Sequence, residues 1–181
     1  MFAMRAMVLC AGFLLCHAAN ADISHCACNP AQIETMQLRE CSLCMEAEKH
    51  PEDIEVFFLK DINPRKPNRW LALPRVHGPG GHHLRDLTPK QRTALWTAAI
   101  RKAQELWGDE WGLAYNADTA RTQCHTHIHI GKLLKGLAPG KTMIVDGPAD
   151  IPPLDGIWVH PHGKKLMVHY GERITETALL R

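Results

Sequence analysis

No apolar run in the body of this 181-residue chain reaches 18 residues. A membrane-crossing helix needs about that length, so nothing in the body implies a polytopic membrane protein. An excess of one charge is lacking too. Lys and Arg number 21 against 19 Asp and Glu, for a net charge of +2. That balance argues neither for nor against a specific anionic small molecule, and a nucleic-acid partner is not expected. There is no internal repeat and no low-complexity tract. There is also no βαβ pattern around the C-x-x-C, which a thioredoxin-like redox site would need. What is present reads as globular, with 45% apolar and 22% charged residues and a length suited to one ordinary domain.

The first 21 residues read as a secretory signal. Arg5 gives a positive start, Val8 to Cys16 a short apolar stretch, and Ala19-Asn20-Ala21 a small-x-small cleavage site. Cleavage after Ala21 would leave a periplasmic or secreted chain; an uncleaved anchor is the alternative. Five cysteines then remain: Cys26, Cys28, Cys41, Cys44 and Cys124. Export favours oxidation. In one reading Cys26 and Cys28 pair with Cys41 and Cys44, stapling residues 22–40 as a leader and leaving Cys124 as the free thiol. In the other, Cys41-Ser-Leu-Cys44 is a zinc half-site.

Local patterns predict the elements. Glu55 to Ile62 and Arg69 to Val76 read as paired strands around Asn63-Pro64. Thr88-Pro89-Lys90-Gln91 is a capping box with proline at the first helical position. An apolar repeat from Leu95 to Trp107 follows, closed by Gly108. Leu113 to Ala117 and Gln123 to Ile130 read as strands. Gly136 to Pro153 reads as a long connection, Ile157 to Tyr170 as a hairpin turning at His162-Gly163, and Ile174 to Leu180 as a short terminal helix. Residues 136–181 thus form a C-terminal extension beyond a core at 41–135.

The densest chemical signal is His125-Thr-His127-Ile-His129. On a strand, residues i, i+2 and i+4 share one face about 6–7 Å apart, so three imidazoles would enter one space. Imidazole serves as nucleophile, general acid or base, or metal ligand near neutral pH.

Five stretches occur in the order of the histidine-triad (HIT) superfamily. They are Cys41-Ser-Leu-Cys44, Phe57-Phe-Leu-Lys-Asp61-Ile-Asn-Pro64, Leu71-Ala-Leu-Pro74-Arg-Val-His77, Asn116, and the triad itself. The sequence resembles that superfamily over roughly Cys41 to Ile130. Arg121-Thr-Gln123-Cys-His125-Thr-His127-Ile-His129-Ile and Arg173-Ile-Thr-Glu176 look most like its bacterial CDP-diacylglycerol pyrophosphatase branch.

The resemblance implies an α+β fold, an antiparallel sheet with a long helix on one face. It implies a nucleotide or nucleotide-conjugate substrate, a membrane lipid conjugate included. His127 would attack the α-phosphorus, and water would hydrolyse the nucleotidyl-histidine. The residue types permit this. His125 or a carbonyl could hold the second nitrogen of His127, and His129 could donate to a phosphoryl oxygen. Asn116, Arg121 and Gln123 are the candidate substrate contacts, with Arg121 able to clamp phosphate bidentately. No metal or other cofactor is required by this chemistry, because His129, Asn116 and Arg121 could stabilise the developing charge. If zinc is bound, as in zinc-bearing members of the superfamily, Cys41, Cys44, His77 and His125 are its expected ligands. Two positions depart from the family pattern: Arg69 stands where many members carry histidine, and Arg121 stands where they carry glutamine.

Two readings of other classes remain open. One is a periplasmic metal-binding protein built on the histidines and the C-x-x-C. The other is a HIT-shaped nucleotide-binding module without turnover. The oligomeric state is not legible.

Overall fold

The computed structural model describes residue 23 and residues 26–137 and 140–180. The expected export signal lies outside the described residues. Two short helices, α1 (Ile33–Met36) and α2 (Ser42–Ala47), precede the longest one, α3 (Pro89–Trp107, 19 residues). The strands are β1 (Val56–Lys60), β2 (Trp70–Pro74), β3 (Trp111–Tyr115) and β4 (Ile128–Lys132), then β5 (Lys141–Val145), β6 (Ile157–His162) and β7 (Lys165–Tyr170). They form a seven-stranded sheet in the order β1-β2-β4-β3-β6-β7-β5. Every neighbouring pair is antiparallel.

Helix α3 starts and stops where its caps predict. Thr88 Oγ1 accepts from Gln91 N at 3.3 Å, and Gln91 Oε1 accepts from Thr88 N at 2.8 Å. Gly108 ends the helix at a φ of +56°. The buried stripe Leu95, Trp96, Ala99 and Ala103 packs on Ala72, Leu113, Ile128 and Ile130 of the sheet. Because strand residues alternate, Ile128 and Ile130 facing α3 put His129 on the opposite face.

That opposite face is covered by the C-terminal segment, in which Thr175–Ala178 is a single 3-10 turn rather than the expected terminal helix. Ala178 and Leu179 pack against Ala114 and Trp158. The approach is close enough to need glycine. A Cβ on Gly112 would lie 2.5 Å from Leu179 Cδ2, and one on Gly131 would lie 3.1 Å from Leu179 Cβ.

Two further expectations are corrected. The histidine strand begins at Ile128, not Gln123. Upstream, Cys124 N donates to Glu40 O (2.8 Å) and Thr126 N to Gly81 O (3.1 Å), so this backbone is bonded to loops and not to a strand. The connection at 136–153 contains β5, a mostly exposed strand on β7 whose proline- and glycine-rich flanks hid it. Helix α1 lies within the leader, and α2 follows at the C-x-x-C.

Among the described residues no helix is long and apolar enough to cross a membrane.

Candidate active site

The three triad histidines are buried, at 0%, 6% and 7% exposure for His125, His127 and His129. Only His129 lies on a strand; it sits opposite Leu71 of β2 and Ala114 of β3. His125 and His127 occupy the loop before it. His127 and His129 remain adjacent, their rings edge to face at 5.0 Å. His125 turns elsewhere, its ring parallel to that of His77 at 5.9 Å and edge-on to Phe57 at 6.3 Å.

Hydrogen bonding fixes the proton of His127. Its Nδ1 is 2.8 Å from the carbonyl oxygen of His125. A carbonyl only accepts, so Nδ1 carries the hydrogen and Nε2 carries the lone pair. His125 is fixed in the same way, with Nδ1 2.7 Å from the Thr126 carbonyl. Among the described residues its Nε2 is buried without a hydrogen-bond partner. Burial is the main influence on all three rings. It pushes His125 and His127 down to about 3 and His129 to about 4, so all three are uncharged at neutral pH.

His129 faces an ion cluster. Its Nδ1 lies 3.6 Å from Glu176 Oε2, beyond hydrogen-bond length. The same oxygen meets Lys66 Nζ at 2.5 Å and Arg69 Nη1 at 3.2 Å. Burial alone would raise the Glu176 carboxyl, but its neighbours His129, Lys66 and Arg69 bring it down to about 2. With His129 uncharged at neutral pH, the two cations are what keep it ionised. Arg69, 1% exposed, also donates to the carbonyls of Glu176 (2.8 Å), Leu179 (2.6 Å) and Leu180 (2.9 Å). Arg69 therefore anchors the C-terminal segment beside His129.

The candidate substrate contacts are engaged within the protein. Asn116 Oδ1 accepts from Glu176 N at 3.0 Å and Thr175 Oγ1 at 3.2 Å, which positions Glu176. Arg121 is buried. It donates to His82 O (2.8 Å), Asp118 Oδ1 (2.9 Å) and His125 O (3.3 Å), over the Tyr115 ring at 4.9 Å. It shapes the histidine loop and shares the carbonyl that anchors His127, in place of the expected open phosphate clamp. Gln123 accepts from Ser42 Oγ at 2.8 Å and donates to Arg39 O at 3.1 Å, tying that loop to the cysteine segment.

The cysteines follow the expected set in one pair and depart from it in the other. The disulfides are Cys26–Cys124 and Cys28–Cys41, each with Cα atoms 5.6 Å apart. Cys44, not Cys124, is the free cysteine among the described residues. Cys124 is drawn to the leader by the bond between its N–H and Glu40. Burial raises the Cys44 thiol to about 11, so it is protonated and inert. Two disulfides fit an oxidising compartment.

The expected zinc ligands do not fit as a set, because Cys41 is bonded to Cys28. His77 Nε2 meets Glu48 Oε1 instead, at 2.5 Å. Cys28, Cys44 and His82 do bring ligand atoms within 4.8 Å of one another, as do Cys28, Cys41 and Cys124. Each group includes disulfide sulfur, so reduction would have to precede metal binding. His82 and His169 are also buried.

Glu176, Lys66 and Arg69 were not expected at the site. Glu176 stood within the Arg173-Ile-Thr-Glu176 stretch, but nothing local pointed it at a strand about 50 residues earlier. A surface cleft of about 530 Å³ includes His77, Glu48 and Arg75 in its lining, but none of the triad.

Fold and site together define an α+β protein with a buried, uncharged histidine pair, His127 and His129, at the start of a central strand of its antiparallel sheet, beside an ion cluster. No family model and no curated protein matches the chain.

Proposed function

We propose that the chain is an exported, HIT-like hydrolase of nucleotide conjugates, near the CDP-diacylglycerol pyrophosphatase branch, with His127 as its nucleophile. The observation that carries this reading is the carbonyl-anchored Nδ1–H of His127, which leaves Nε2 unprotonated. His127 Nε2 bonds to the α-phosphorus while the bond from phosphorus to the leaving phosphate oxygen breaks. The leaving phosphate departs with that electron pair. Water then attacks phosphorus and loses a proton. The P–N bond breaks towards the imidazole, which returns neutral, and the nucleotide monophosphate leaves.

His129, edge-on to His127, donates to a phosphoryl oxygen. Bound phosphate raises its proton affinity, and closure of the 3.6 Å gap to Glu176 stabilises the resulting imidazolium. Lys66 supplies positive charge at the same end. His125 contributes through its carbonyl, which makes it a positioning residue. Asn116 and Arg121 act likewise, on Glu176 and on the loop.

The test incubates the mature oxidised chain with nucleotide conjugates, CDP-linked lipid among them. Free nucleotide is assayed, and the quenched protein is mapped by mass spectrometry. A nucleotidyl adduct on the His127 peptide supports the reading. Turnover with the adduct on another residue, or no turnover across the panel, refutes it.

A further inference from the structure

A second imidazole cluster lies on the β6–β7 hairpin, and the proposed hydrolysis does not use it. Trp158 and His160 share one face of β6, and His169 of β7 sits directly opposite Trp158. The His169 ring stacks on the Trp158 indole with centroids 3.4 Å apart and planes within 9°. His160 Nε2 is 3.1 Å from His169 Nε2.

The protons of this pair are constrained. His160 Nδ1 is 2.9 Å from the Pro161 carbonyl oxygen. It must donate there, so His160 Nε2 presents a lone pair. His169 then donates its Nε2 hydrogen to that lone pair. Its Nδ1 is buried without a hydrogen-bond partner among the described residues, and the residue is 6% exposed. An imidazole anchored through its other nitrogen to a carbonyl is the usual arrangement of a metal-ligating histidine.

We infer that His160 and His169 bind a divalent late-first-row transition-metal ion between their Nε2 atoms. Imidazole donors suit copper, nickel and zinc and disfavour magnesium and calcium. Tetrahedral ligation at about 2.0–2.1 Å separates two nitrogens by roughly 3.3–3.4 Å, so the pair needs to open by only a few tenths of an ångström. The ion replaces the shared proton, which moves to His169 Nδ1, and both rings stay neutral. Burial is the main influence holding both imidazoles below their ordinary value, which keeps their lone pairs available. His162, exposed and two residues along the same face, does not join the pair within 4.8 Å, so solvent completes the coordination of the ion. Glu172, which accepts from Trp158 Nε1 at 2.9 Å, adds nearby negative charge. Unlike the cysteine clusters, this pair includes no disulfide sulfur, so no reduction need precede binding.

The test uses the untagged, chelator-washed, oxidised full chain titrated with Cu(II) and, separately, Zn(II). Cu(II) is expected to quench Trp158 at one ion per chain, because the indole stacks on a ligand ring. Its electron paramagnetic resonance spectrum should show coupling to at least two imidazole nitrogens. His160→Asn and His169→Asn should each weaken binding at least about tenfold. Trp158→Phe should keep the affinity and lose most of the quench. Unchanged Cu(II) affinity in folded His160→Asn overturns the assignment, as does quenching that persists in Trp158→Phe. If His169→Asn fails to fold through loss of the stack, His160→Asn decides alone. The His160 ring lies 5.4 Å from the indole and bears less of the packing.

Discussion

The histidine segment is held at both ends by different chemistry. Upstream, next to His125, the hold is covalent: Cys124 is bonded to Cys26, and Gln123 ties the same loop to residues 39 and 42. Downstream, on His129, the hold is ionic and polar: Glu176 with Lys66 and Arg69, and Asn116 beneath the turn. A disulfide responds to reductant and ignores pH. A buried carboxylate between two cations does the reverse. The imidazole assigned the chemistry, His127, sits between the two clamps, its Nδ1 fixed by the backbone alone. His127 is thus flanked from both sides, while its Nε2, opposite the anchored Nδ1, keeps its lone pair.

The largest expected effect comes from removing what lies between the clamps. His127→Ala should lower turnover of the nucleotide conjugate at least about 10³-fold, as loss of a nucleophile does. Both disulfides and the thermal transition should persist. Steady-state kinetics with a circular-dichroism melt measures both, and near-normal turnover in a folded variant would remove His127 from its role.

Breaking the covalent clamp should come next, and it should act on stability. Cys26→Ser together with Cys124→Ser opens a loop with a sequence separation of 98, and Cys28→Ser with Cys41→Ser opens one of 13. Chain entropy assigns about 4–5 kcal/mol to the longer loop and about 3 kcal/mol to the shorter, both upper values before strain. The two loops overlap, so the losses should not add. Urea unfolding at pH 7 ranks them. A larger loss from the shorter loop would show that strain or residual structure governs here, and not loop length.

Very different amounts of this arrangement were legible beforehand. Helix α3 was readable because its capping box, apolar stripe and terminal glycine all lie within about 20 residues and agree. The β6–β7 hairpin was readable for the same reason: Gly163 takes a φ of +62° in a two-residue turn, as local pattern demands. The triad was visible as a cluster, but its geometry was not. The alternation at 125–129 looks like strand, yet the backbone at Cys124 and Thr126 bonds to Glu40 and Gly81, partners that no periodicity reveals. Half of the disulfide pairing was missed at the same scale: Cys28–Cys41 lies within the expected set, and Cys26–Cys124 does not. Cys124 is far from the other cysteines in sequence, so proximity in sequence paired Cys26 within the leader and left Cys124 out. Glu176 and Arg69, 107 residues apart, meet only once the sheet order brings the C-terminal segment across β4.

Acid should break the ionic clamp and spare the covalent one. Glu176 titrates near 2 in the folded chain against an ordinary value of 4.5. Its contribution is therefore full above about pH 4.5 and is lost as pH falls toward 2. It amounts to the order of 3 kcal/mol. The triad histidines act at higher pH with the same sign. Their folded values of about 3, 3 and 4 lie below the ordinary 6.5. The unfolded chain thus binds more protons below pH 6.5, and stability falls as pH drops through that range. Urea midpoints from pH 8 to 4 should decline from just below 6.5 and steepen below 4.5. Glu176→Gln should flatten the lower part only. A midpoint unchanged between pH 7 and 5 would contradict buried, uncharged histidines.

The smallest effect sharpens the covalent side. Cys44 is buried one helical turn beyond Cys41 and is protonated at neutral pH because burial raises it to about 11. A thiol in that state neither reacts with an external disulfide nor exchanges readily with the neighbouring Cys28–Cys41 bond. The native chain should therefore show no thiol reactive toward an aromatic disulfide reagent at pH 8. Denaturation without reductant should expose one among residues 26–180, and peptide mapping should place it at Cys44. Cys44→Ala should leave both disulfides in place and cost on the order of 1 kcal/mol, the scale of one buried methyl-sized group. If labelling under denaturing conditions falls on Cys124 instead, the leader closes on itself. The clamp next to His125 would then be hydrogen-bonded only, and reductant and acid would no longer distinguish the two ends of the site.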